Sequence, residues 1–441
     1  MNTMPDDRPP PSQAMRVGAA ILGNALEFYD FTVYAAFAVW LAKAFFPAEN
    51  PSTSLLLSVA TFGVGFVARP LGGILIGAYA DRFGRRPAMT LTIWMMALGS
   101  GMIGLLPTYQ QIGVLAPILL VFARLLQGFS AGGEMGPATT YLLESAPAHR
   151  KGFFGSWQLA SQNLGGVISG LVGLALALMI TPGATDSWGW RVPFLLGILI
   201  APVGYYIRRN LDETMDAEEA HGSMGQVLSD LAANHWQKIL LCILLISGGT
   251  ISQYFFLYTA TYAISTLHYS QGWSMAASLA TAVSGAIFSL VGGALADKYG
   301  VKSIAIIPRL IVTLLFYPAL HLVISSGSPL VFVIVAASLM TLHAMASGAG
   351  IVLIPIIFPS AVRTAGLSIA YALGVTIFGG TAQIVFTWII SATGDKLSWV
   401  WYVIIMSVIS VIGTLAIKVP ETLKGKPQDS KPTAALAGAS N

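Results

Sequence analysis

Apolar runs of about 20 residues recur along the chain from near Val17 to Val419, separated by short polar connections. Each is long enough to cross a hydrocarbon core of about 30 Å as a helix, the element that satisfies its own backbone inside lipid. The pattern predicts twelve spans, over 17–42, 55–80, 88–107, 112–143, 154–180, 190–209, 238–267, 274–297, 303–326, 329–358, 364–391 and 397–419. The alternating segments of about ten residues that mark an outer-membrane barrel are absent.

Composition sharpens that reading. Hydrophobic side chains make up 55% of the 441 residues and charged ones 10%, where a soluble chain carries about 25% charged. The mean hydropathy is +0.73, so the expectation is an all-α membrane protein with a lipid bilayer as its solvent. The 23 Lys and Arg are distributed unevenly. Lys43, Arg191 and Lys396 fall on one side, Arg69, Arg124 and Arg309 fall within spans, and the rest collect on the side of the two termini. Basic residues are retained in the cytoplasm, so both ends are expected there, in the inner membrane of a cell. The net charge of +4 is then a topology signal and no argument for nucleic acid. A single cysteine, Cys242, excludes a disulfide framework and a cysteine metal site.

The longest polar connection, about 210–237, divides the spans into six and six. The expected organisation is a disordered tail (1–16), a first six-helix bundle (17–209), a linker (210–237), a second bundle (238–419) and a second tail (420–441). An internal repeat supports it: "GAYADRFGRR" at 77–86 and "GALADKYGVK" at 293–302 agree at five of ten positions, each closing the second span of its half. Related halves around a site near the midplane are the mark of a secondary transporter working by alternating access.

The chemistry sits in the spans. Asn24, Glu27, Asp30 and Tyr34 fall within about 120° of one another on a helix, which makes a polar stripe on the first span. At 1.5 Å per residue the stripe lies about 15–20 Å deep, and Arg69 and Arg124 reach a similar depth on the second and fourth spans. An uncompensated charge there costs at least ~2.5–3.5 kcal/mol, so two acids are expected to face two arginines. A carboxylate that leaves its arginine and takes a proton is a coupling device, whereas arginine stays charged. Asp30 is the first candidate for that proton and Glu27 the second, with a static ion pair as the alternative. Arg69 and Arg124 offer planar forks suited to a carboxylate substrate, unless Arg69 is bound to Glu27. Asn24 and Tyr34 of the stripe, with Gln127, Gln158, Gln162, Tyr254, Tyr258, His343 and Tyr371, are the polar candidates for substrate contact, each of which would otherwise serve as an interhelical hydrogen bond. Glu134, nearer the termini, is assigned to an inner gate or relay. Asp81, Arg82, Arg85, Arg86, Glu144 and Arg150, with Asp297 in the second repeat, are expected to form a gate at the inner ends of the helices. Exposed pairs of that kind contribute about 0–1 kcal/mol each, weak enough to open on every cycle.

"GAYADRFGRR", "ARLLQGFSAGGE" at 123–134, "LESAPAHRKG" at 143–152 and "PETLKG" at 420–425 resemble signature segments of the major facilitator superfamily. "GNALEFYDFTVY" at 23–34, "ARPLGG" at 68–73 and "GWRVPFLLG" at 189–197 resemble its metabolite:proton symporter branch, which includes citrate, 2-oxoglutarate, shikimate and proline/betaine carriers. The resemblance implies twelve helices in two pseudo-symmetric six-helix bundles and places a proton-binding aspartate at Asp30 and its arginine at Arg124. It also implies an inner-side latch between the halves. The second signature copy departs from the pattern, with Val301 where the first has Arg85.

The resulting expectation is a proton-coupled importer of a small organic acid, citrate or a related di- or tricarboxylate, acting as a monomer. "FGGTAQIVFTWIISATGDK" at 378–396 looks most like the citrate carriers. The alternatives are a symporter of a zwitterionic osmolyte such as betaine or proline, against which the tail without heptads weighs, and a drug:proton antiporter, against which the buried arginines weigh. A substrate-sensing receptor on the same scaffold is a further rival. No G-x-x-x-x-G-K-[ST] loop and no H-E-x-x-H is present, so no catalytic residue, metal or cofactor is assigned.

Overall fold

The computed structural model describes residues 13–83, 85–132, 142–143, 146–147, 149–199, 202, 229, 231, 233–359 and 363–419. The first half is built from α1 (Gln13–Ala36), α2 (Ala38–Phe45), α3 (Pro51–Phe83), α4 (Arg85–Leu105), α5 (Leu115–Ala131), α6 (Lys151–Met179) and α7 (Arg191–Ile198). The second contains α8 (Trp236–Ser265), α9 (Gln271–Tyr299), α10 (Val301–Ser326), α11 (Pro329–Gly350), α12 (Arg363–Gly374), α13 (Gly380–Thr393) and α14 (Val400–Ala416). With α1 and α2 forming one crossing and α12 and α13 another, these are the twelve crossings of an all-α membrane protein, six to each bundle. Large apolar side chains such as Leu98, Phe122, Leu178, Leu314, Trp388 and Ile412 point outward from the helices, as lipid-facing surfaces do.

The bundles are joined with pseudo-twofold symmetry. The second crossing of each half packs against the fifth of the other: α3 on α13, and α6 on α9. Small residues permit the approach, which is how helices associate when lipid is as apolar as their own side chains. A Cβ at Gly63 would run into the Gly380 carbonyl oxygen, and Gly152 and Gly293 block one another in the same way.

Among the described residues, the first and eleventh crossings depart from single regular helices in ways that bear on the site. The first bends by 63° between Ile21–Ala36 and Ala38–Phe45, at Phe37, whose φ of −101° and ψ of 12° break the helical run without a proline. The eleventh contains a π-helical turn, Val375–Gly379, a feature that shifts the facing of the residues after it and recurs at functional sites. Neither is visible in hydropathy, which registers apolar length and not backbone pitch. Residues 133–141 of the fourth span, most of the sixth beyond Ile198, nearly all of 210–237 and both tails lie outside the described residues.

Candidate functional site

The polar stripe of α1 turns inward as its periodicity requires: Asn24, Glu27, Asp30 and Tyr34 are all buried. Around it, close crossing of α3 and α5 fixes the two arginines. A Cβ on Gly128 would strike the Gly65 carbonyl oxygen, and one on Gly132 the carbonyl of Arg69 itself. The helices therefore touch backbone to backbone, and Arg69 and Arg124 project side by side onto the faces of aromatic rings.

Phe31 lies between them, its centroid 4.5 Å from the Arg69 guanidinium carbon and 5.3 Å from that of Arg124. Phe66 stands 4.1 Å from Arg69 and Tyr34 4.3 Å from Arg124. Ring faces carry partial negative charge, and desolvated contacts of this type contribute about 2 kcal/mol each. They let two like charges share a small volume.

The expected direct pairing of acids and arginines is corrected in one respect. Asp30 is 1% exposed, yet it forms no ion pair with either arginine, and neither of its oxygens meets a donor in good hydrogen-bonding geometry. A polar bridge stands in place of contact. Arg124 Nη1 donates to Gln127 Oε1 at 2.7 Å, and Gln127 Nε2 donates to Ser100 Oγ at 2.7 Å. Ser100 then flanks the Asp30 carboxylate, on the side where Gly197 leaves room for both. The guanidinium therefore acts on Asp30 through space, with Gln127 and Ser100 as the polar groups between them. Glu27 lies one turn before Phe31 on the same stripe.

A cavity of about 120 Å³ opens between the halves. Among the predicted residues its wall includes Arg69, Gln162, Tyr254, His343 and Tyr371. The second half adds a cluster that the sequence did not assemble. Arg309 Nη2 donates to Ser347 Oγ at 2.9 Å and Nη1 lies 3.5 Å from His343 Nδ1, while His343 Nε2 is 3.2 Å from Gln253 Oε1. All four line the cavity. Arg309 was visible as a charge within a span, but its partners come from α8 and α11, and no local pattern links those helices. Ser100 was similarly hidden, as one small polar residue in an apolar run.

Other expected ligands are engaged elsewhere. Asn24 Nδ2 donates to the Gln158 carbonyl oxygen at 3.0 Å and to Ser161 Oγ at 2.7 Å, tying α1 to α6. Tyr34 donates to the Ser58 carbonyl oxygen at 3.2 Å, and the Tyr258 hydroxyl lies 2.8 Å from Thr387 Oγ1. These residues, with Gln127 and Gln158, stand behind the cavity wall and position it.

At the end of the bundle nearer the termini, Asp297 of α9 accepts hydrogen bonds from the backbone N–H groups of Gly152 at 2.6 Å and Phe153 at 2.9 Å. A carboxylate thus caps the first turn of α6 across the two halves, where the helix dipole favours it. Arg150 lies beside it and over the Phe153 ring. Asp81, Arg82, Arg85 and Arg86 fall at the end of α3 and the start of α4, with side chains outside the described set, and Glu134 and Glu144 lie outside the described residues altogether. At the opposite end Thr261 Oγ1 donates to the Ala35 carbonyl oxygen at 2.8 Å, and Tyr254 packs on Phe66 at 5.5 Å. The halves are therefore in contact on both sides of the cavity. Among the described residues no group of three His, Cys, Asp or Glu could hold a metal ion.

Comparison with known proteins points one way. The family profile described as Major Facilitator Superfamily matches residues 20–302, and that described as Sugar (and other) transporter matches 206–429. A citrate-proton symporter of Klebsiella pneumoniae is 39% identical over 91% of each chain, and one of Salmonella typhi is 35% identical over 93% of this chain and 96% of its own. A proline/betaine transporter of Escherichia coli K12 is 30% identical over 91% of this chain and 83% of its own. A solved structure of the proton:xylose symporter XylE superposes with a TM-score of 0.73 at 18% identity, covering 94% of this chain and 97% of that one, which is a likeness of fold.

Proposed function

The chain belongs to the major facilitator superfamily, in its metabolite:proton symporter branch, and from its site we propose that it imports citrate or a related di- or tricarboxylate together with protons. The observation that carries the substrate class is the cavity wall. It holds two arginines, Arg69 and Arg309, and among the described residues no Asp or Glu. Buried cations facing a shared space without a carboxylate between them favour an anionic occupant. The names of the citrate-proton symporters support the same reading.

Asp30 is the coupling group. It is buried, and Ser100, the far end of the hydrogen-bonded run from Arg124 through Gln127, stands beside its carboxylate, so a change in the field at Arg124 reaches it through space. When Asp30 is charged, it offsets the positive site and opposes an anion. Protonation removes that offset, so the positive site attracts carboxylate more strongly, which makes substrate and proton bind together. Glu27 is the second carboxylate of that stripe. Alternating access then needs the two six-helix bundles to rock about the cavity, with the α6–α9 contact at Asp297 opening on one side and the Thr261–Ala35 contact on the other. The distribution of basic residues supports a cytoplasmic position for both termini and for the Asp297 closure, in an inner membrane. One chain contains the whole path, so a monomer suffices.

A second reading, symport of a zwitterion such as betaine, has its own support in the proline/betaine relatives and in the tyrosines of the wall. Purified protein in liposomes with an inward proton gradient separates the two. Labelled citrate should accumulate and be displaced by tricarballylate and 2-oxoglutarate but not by betaine. Accumulation of betaine with no uptake of citrate overturns the organic-acid reading and makes the arginines internal partners.

A further inference from the structure

We infer that Arg309, with His343, Gln253 and Ser347, forms a second carboxylate subsite sharing the cavity with Arg69, and that it selects ligands with two or more carboxylates over those with one. This inference rests on the organic-acid reading and adds to it a residue-level source of substrate choice.

The geometry is that of a recognition site. Arg309 is 7% exposed and His343 1% exposed, so neither is a solvated surface charge. The guanidinium is steered by its neighbours: Ser347 Oγ takes one Nη at 2.9 Å, and His343 Nδ1 lies 3.5 Å from the other. The His343 ring is placed in turn. Its Nε2 lies 3.2 Å from Gln253 Oε1, and its face lies 5.3 Å from the Phe256 ring. With the proton on Nε2, that nitrogen donates towards Gln253 Oε1, with Ser347 Oγ also 3.4 Å away, and Nδ1 is left to accept from arginine. None of these partners is an anion. A planar fork held by neutral groups retains its full charge for a ligand, and carboxylate is the group whose two oxygens match it.

Space is left where the fork needs it. Gly249 of α8 faces the guanidinium, and a Cβ there would come to 3.1 Å from Nη2. Arg69 lines the same cavity from α3, beside Tyr254 and Tyr371. The two arginines thus come from different bundles and share one cavity. A monocarboxylate can satisfy only one of them. A di- or tricarboxylate can bridge both, and in doing so it ties the bundles together at the moment the site must close.

The test uses the full-length protein and three probes: citrate, tricarballylate and the monocarboxylate isobutyrate, with affinity read by calorimetry and transport by uptake. Arg309→Gln should weaken citrate and tricarballylate by roughly 30- to 100-fold, the loss expected for one charge-assisted contact, while changing isobutyrate by less than about threefold. Arg309→Lys keeps the charge and removes the fork. It should fold as the wild type does, by gel filtration and thermal unfolding, and still lose about tenfold for citrate. Ser347→Ala, which removes one of the groups steering the fork, should lose about three- to tenfold. If the folded Arg309→Lys protein binds citrate as the wild type does, or if both arginine variants weaken citrate and isobutyrate equally, the subsite is overturned while the organic-acid reading stands. If the wild type binds no di- or tricarboxylate and transports betaine, both fall together.

Discussion

The two halves of this molecule each bury arginine near the midplane, and they treat it in opposite ways. In the first half Arg124 is 0% exposed, set against aromatic faces and linked by Gln127 and Ser100 towards a carboxylate. In the second, Arg309 is held by neutral groups and opens onto the cavity. The first arrangement contains a buried acid, Asp30, the proposed proton site. The second contains no acid among its members, only an arginine held by neutral groups. Under the proposed function, coupling and recognition are divided between bundles, with Arg69 at the seam, and a substitution should disturb one while leaving the other largely intact.

Asp30→Asn is the strongest way to break the division, since it removes the titrating group and keeps the shape. Uphill accumulation driven by a proton gradient should fall by about 100-fold or more, the scale of losing an essential proton-transfer group. Exchange of labelled for unlabelled substrate across the same membranes should persist. Undiminished accumulation by this variant would move the coupling proton elsewhere, with Glu27 the next candidate. Gly128→Ala tests the frame that holds Arg69 and Arg124 together. Its methyl group would strike the Gly65 carbonyl, and the enforced separation of α3 and α5 should cost about 1–3 kcal/mol. A lowered thermal unfolding midpoint, with transport lost in parallel, is the expected result, and an unchanged midpoint would show that the crossing is looser than described. The smallest effect is expected at Tyr258→Phe. Its hydroxyl bonds Thr387 behind the wall, and interhelical hydrogen bonds of this kind contribute about 0.6 kcal/mol on average. Affinity should be unchanged within about twofold, since the contact is not with ligand. A loss of tenfold in citrate affinity would return Tyr258 to the binding site.

Much of this division could be read from the chain itself. Span length, the bias of basic residues and the repeated segment led to twelve crossings in two bundles, because lipid imposes length and sign on every segment alike. Helical periodicity brought the α1 stripe inward, and Arg69, Gln162, Tyr254, His343 and Tyr371 do reach the cavity. What periodicity cannot supply is the rotation of each helix against its neighbours. Asn24 and Tyr258 have the chemistry of ligands, but the facing helices offer Ser161, the Gln158 carbonyl and Thr387 as partners first. Arg309 was set aside because its meaning depends on Gln253 and His343, 56 and 34 residues away on helices whose contact no motif encodes. The direct Asp30–arginine pair was expected for the opposite reason. Depth alone brought the charges to one level, while the intervening Gln127–Ser100 bridge depended on the register between α4 and α5.

The cap that Asp297 places on α6 has a consequence for timing. One partner in that closure is the main chain, whose N–H groups are present whatever side chains residues 152 and 153 carry. In the proposed cycle this carboxylate becomes a means of tuning the dwell time of the closed state, and shortening or removing that side chain would speed opening at this contact without rewriting the helix it grips.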